Sequence, residues 1–84
     1  MNPSTLPYWQ RKFAHMVLRL RHQQERHLLI PLSCRLDGFL EALEATGVIS
    51  PDAYERLRSL ADDAYLHALK DVYRAKLSTP REAA

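Results

Sequence analysis

An all-α fold is predicted for this chain, a helical hairpin with an N-terminal helix packed across it, and three observations predict it. Ala61, Ala68 and Ala75 recur at every seventh position in a segment otherwise filled by Leu57, Leu60, Ala64, Tyr65, Leu69, Val72 and Tyr73. Two further stretches place apolar residues three and four apart, which is the period of a helix with one buried face. No run alternates apolar and polar residues long enough for a strand, and the β-like pair Val48-Ile49 suffices only to anchor a turn.

Residues 1–7 carry Pro3 and Pro7 around Ser4 and Thr5 and read as an extended arm that ends where helix begins. From Tyr8 the residues Trp9, Phe13, Met16, Val17 and Leu20 form one helical stripe. The polar turn Gln23-Gln24-Glu25 interrupts it before Leu28, Leu29 and Ile30 resume. Pro31 falls inside the resumed stripe, where a proline costs about 3 kcal/mol because it removes a hydrogen bond and clashes with the preceding turn. A break or kink is therefore expected near residues 28–31.

Beyond Pro31 the stripe Leu32, Leu36, Phe39, Leu40 and Leu43 predicts a helix over 32–46, stopped by Gly47. Gly38 weakens its middle and reads as a place for close packing. Ser50-Pro51-Asp52 supplies an N-cap, a proline at the first helical position and an acid where the helix dipole favours one. The helix it opens is expected to run through the alanines to about Leu77 and to stop before Pro80. One domain over 8–78 follows, with 79–84 as a frayed tail.

Small side chains at every seventh position let helix axes approach closely. Leu57, Ala61, Ala64, Ala68, Val72 and Ala75 are thus assigned to a dimer or helix-packing seam. A single domain of 84 residues buries a modest fraction of its surface, so a second copy is a ready way to complete the core, and a dimeric helical bundle is expected.

Charge is uneven along the chain. The 12 Lys and Arg against 10 Asp and Glu leave a net +2, far below the excess of a dedicated nucleic-acid binder. Residues 1–27, however, hold Arg11, Lys12, Arg19, Arg21 and Arg26 against Glu25 alone, while residues 37–63 are acidic. The lone Cys34 can form no internal disulfide and points to a reducing, cytoplasmic setting. No stretch reads as a signal peptide or a membrane span.

No catalytic, cofactor or metal motif is legible. His15 and His22 lie two turns apart with arginines between, and His27 and Cys34 are separated by seven residues and Pro31, so neither pair has metal-ligand spacing. Asp62 and Asp63 are neighbours, and adjacent helical side chains diverge by about 100°, too far to share a proton. The element left for function is the first helix: Trp9, Arg11, Lys12, His15, Arg19, His22 and Arg26 are its expected partner-binding residues. Arginine and tryptophan anchor protein interfaces. The same cations beside Tyr8, Trp9 and Phe13 could also hold phosphates with a base stacked on a ring.

With Ser59, Leu60, Asp62 and Ala64 followed by the heptad alanines, the C-terminal hairpin resembles the Rop family, the small RNA-binding copy-control proteins of plasmids. That resemblance implies a dimer of two-helix hairpins with alanine-rich layers. The stretch from Ile49 to Pro80 is equally similar in rhythm to the small haemolysin-expression modulators, which bind a nucleoid protein. Each covers about half the chain, what they share is a helical hairpin, and no binding residue of either is transferred. The expected role is a small non-enzymatic regulator or inhibitor that binds a larger protein stoichiometrically, as those of phages and mobile elements do. The alternative is an RNA- or DNA-binding regulator using the basic helix.

Overall fold

The computed structural model describes residues 6–78. These form three helices, α1 (Tyr8–Arg21), α2 (Arg26–Ala45) and α3 (Pro51–Ser78), and no strand. Of the expected arm only Leu6 and Pro7 are described, and the expected tail lies outside the described residues. Connections of a few residues at 22–25 and 46–50 leave no room for a crossover, so consecutive helices pack antiparallel. α1 also packs on α3, which closes a three-helix bundle.

Each helix end has a local cause. Pro7, with φ −54° and ψ 147°, carries the extended backbone that precedes a helix, and its carbonyl accepts the amides of Gln10 at 3.0 Å and Arg11 at 3.2 Å. α2 ends in a Schellman turn: Gly47 adopts φ +79°, Val48 N–H donates to the Leu43 carbonyl at 2.9 Å, and Gly47 N–H donates to that of Glu44 at 3.0 Å. Only glycine takes that left-handed conformation without steric cost. Ser50 caps α3, its Oγ accepting the Ala53 amide at 3.1 Å, and Asp52 lies in the first turn.

The break between the first two helices lies at 22–25 rather than at the expected 28–31, and α2 runs unbroken through Pro31. Two physical reasons account for the shift. The turn over Gln23-Gln24-Glu25 removes three polar residues from the seam while leaving Leu20 and Leu29, at 0% and 1% exposure, in the core on either side. Pro31 then falls in the second turn of α2, where the one lost hydrogen bond would have gone to the carbonyl of His27, and both residues are on the exposed side. α2 opens instead with a 3₁₀-type bond from Leu28 N–H to the Glu25 carbonyl, 2.9 Å.

Phe13 and Leu20 of α1, Leu29, Leu36, Leu40 and Leu43 of α2, Ile49, and Ala61, Ala64 and Ala68 of α3 form one buried cluster. The alanine seam is thus filled within a single chain. Leu57 and Val72 border it half-buried, whereas Ala75 is exposed. Burying small residues lets α1 and α2 with their leucines sit close against α3. Exposed Arg58 on α3 has its guanidinium raised above its ordinary pKa first by Tyr54, then by Asp37 of α2, with Asp62 adding.

Gly38 is not a point of close approach. It is exposed, and a Cβ built there meets nothing within 4 Å. Gly38→Ala is therefore expected to raise stability by about 0.5–1 kcal/mol, because alanine keeps helical φ/ψ and loses less chain entropy; the urea midpoint, at unchanged m-value, measures it.

Candidate functional site

α1 divides cleanly into two faces. Phe13 and Leu20 are buried, and Trp9, Met16 and Val17 pack against the core. Arg11, Lys12, His15, Leu18 and Arg19, with His22 at the C-cap, are exposed. Successive residues turn by about 100°, which sets Arg11, His15, Leu18 and His22 in one outward line with Lys12 and Arg19 beside it. No residue of α1 carries a carboxylate, so the face is cationic throughout.

Two of the expected binding residues lie elsewhere. Trp9 packs inward, which makes it an anchor of the bundle rather than a presented hot spot. Arg26 begins α2, and its guanidinium lies over the Tyr73 ring, 5.3 Å from the centroid. In its place the outward end of α1 presents Tyr8, 69% exposed, with Arg11 5.8 Å from its ring centroid.

Where α1 meets α3, a polar chain crosses the surface. Arg21 Nη2 donates to His67 Nε2 at 3.3 Å, which makes that nitrogen the acceptor, and His67 Nδ1 faces Asp71 Oδ2 at 3.8 Å. Asp71 Oδ1 in turn lies 3.9 Å from Arg74. The ion-pair groups of this chain are more than half exposed, so water screens them and they orient the helices more than they stabilise them.

Leu66, Tyr73 and Leu77 are 51%, 43% and 73% exposed. With Leu69, Lys70 and Arg74 they line an open groove of about 660 Å³ along the C-terminal half of α3. In the sequence Leu69 and Tyr73 read only as large residues of the alanine segment, outside the assigned seam, and no groove is assigned there. A signal for it was present: Leu66, Leu69, Tyr73 and Leu77 recur at three and four on a face turned roughly 140° from Ala61, Ala64, Ala68 and Val72.

Among the described residues no three His, Cys, Asp or Glu cluster as a metal site would require. Among the described residues no polar or charged side chain is buried, and no helix they form is long and apolar enough to cross a membrane. Comparison with protein-family profiles, curated proteins and solved structures finds no match to the chain.

Proposed function

We propose that this chain is a small regulatory or inhibitory protein of the cytoplasm, of the kind encoded by phages and mobile elements. It acts without catalysis, by binding a larger protein stoichiometrically through the outward face of α1. The observation that carries the reading is Leu18, 54% exposed in the middle of that cationic face. A leucine set among Arg11, His15, Arg19 and His22 suits an acidic protein surface with an apolar dimple, where the charges orient the partner and the leucine is buried. A phosphate backbone offers nothing for it to contact. This placement among regulators is an analogy from size and surface chemistry rather than from fold.

One observation favours the alternative, an RNA- or DNA-binding regulator. Tyr8 and Arg11 stand together at the open end of α1, an aromatic plane beside a cation, and such pairs stack bases in single-stranded nucleic acids.

Affinity capture from nuclease-treated and untreated lysate, repeated with Leu18→Ser and with Arg11→Glu/Arg19→Glu, separates the two. The protein reading expects one stoichiometric protein that survives nuclease, with binding about tenfold weaker or worse for Leu18→Ser. Loss of every partner with nuclease, a log-affinity falling linearly with log salt, and indifference to Leu18→Ser would establish the nucleic-acid reading instead. A protein partner captured equally by the wild type and both variants would sink the α1 surface altogether.

A further inference from the structure

The groove on α3 lies on a different flank of the bundle from the α1 face. Arg26 of α2 stacks over Tyr73 at its edge, whereas α1 meets α3 on the side of His67. A contiguous apolar strip of this kind is uncommon on a monomer without a use. Leu66 and Leu77 are eleven residues apart, or roughly 17 Å along the axis, the reach of three turns of a partner helix anchoring at i, i+3 or i+4, i+7 and i+11.

Charge decides the occupant. The polar residues lining the groove are Lys70 and Arg74, and Arg26 adds a third cation over Tyr73. Asp71 faces Arg74 and His67 on the α1 side, and Asp63 lines the adjoining hollow on that side with Arg21 and His67 rather than the groove itself. A second copy seated here about a two-fold axis would set Lys70 and Arg74 of one chain against those of the other, a like-charge arrangement that opposes pairing. An occupant with acidic flanks meets the opposite situation. We propose that this groove docks an amphipathic protein helix bearing large aliphatic residues on one face and glutamate or aspartate along its edges.

The test uses the full chain and a fluorescent synthetic peptide of about five turns, with leucines at that spacing and glutamates flanking them. A second peptide has lysine at each glutamate, and a third has the first one's composition scrambled. By fluorescence anisotropy the acidic peptide is expected to bind saturably and about tenfold or more tighter than the other two. Tyr73→Ser/Leu77→Ser should remove that binding, and Lys70→Glu/Arg74→Glu should turn the preference to the lysine peptide. All four positions are exposed, and circular dichroism checks that the variants keep their helix content.

Equal binding of the three peptides, no binding of any, or binding unmoved by the groove variants overturns the proposal. So does a doubled mass in sedimentation that Leu77→Ser returns to monomer, since a second copy would then own the groove. Arg11→Glu/Arg19→Glu should leave peptide affinity unchanged, so failure here and failure of the α1 reading are distinguishable.

Discussion

Leu40→Ala is expected to lower stability by about 2–5 kcal/mol, the largest effect of any single truncation considered for this chain. Leu40 is fully buried, at 0% exposure, in the middle of α2, with Leu36 and Leu43 of its own helix in the same buried cluster as the alanines of α3. Removing its isobutyl group forfeits the transfer free energy and leaves a cavity that three short helices can close only in part. A domain of this length has about 4–13 kcal/mol in total at ordinary per-residue values, so the loss is a large share. The melting temperature should fall by roughly 10 °C or more. Leu60→Ala is the control, since Leu60 is 54% exposed and its loss should cost within about 0.5 kcal/mol. Equal costs for the two leucines in urea denaturation would contradict the packing of α2 against α3.

Ala68→Leu is expected to cost about 1–3 kcal/mol through overpacking, while Ala75→Leu, one heptad on, changes stability by no more than about 0.5 kcal/mol. Ala68 has 0% exposure inside the bundle, so three added carbons have nowhere to go unless a helix moves. Ala75 is exposed and the same carbons project into solvent. The pair separates two uses of one alanine repeat. Were the seam a dimer interface along its whole length, both substitutions would disturb it and the mass in solution would drop. Filled within one chain, as here, the seam answers with unequal stability losses at unchanged mass, which thermal melts and analytical ultracentrifugation measure together.

How far the candidate site was legible differs from residue to residue. Arg11, Lys12, His15 and Arg19 stand exposed on α1, with His22 exposed at its C-cap, because polar and charged side chains leave the core whatever the partners of the helix are. Trp9 is ambiguous in sequence: a large amphipathic ring is found both in cores and at interfaces, and it is the tertiary structure that packs it, partly buried, against the core cluster. Arg26 was assigned to the basic helix on proximity in sequence, yet the turn at 22–25 carries it over to Tyr73. The groove is masked in the sequence because its leucines share a helix with the alanines, and the alanine repeat is the stronger of the two stripes that α3 carries.

By itself, the sequence determined the helices and their punctuation. Periodicity set the class, Gly47 and Ser50 set the boundary between α2 and α3, and the alanine repeat marked the face of α3 that is buried. These are local properties: backbone sterics, capping hydrogen bonds and amphipathicity act within a few residues and are written in a few residues. Only the tertiary structure decided where the chain turns after α1, whether the alanines meet their own helices or another copy's, and which leucines of α3 are left outside. Each of those depends on which surfaces find each other. Pro31 could be accommodated in α2 because burying Leu20 and Leu29 together favours a turn at Gln23-Gln24-Glu25, a gain that exists only once α3 is there to cover them.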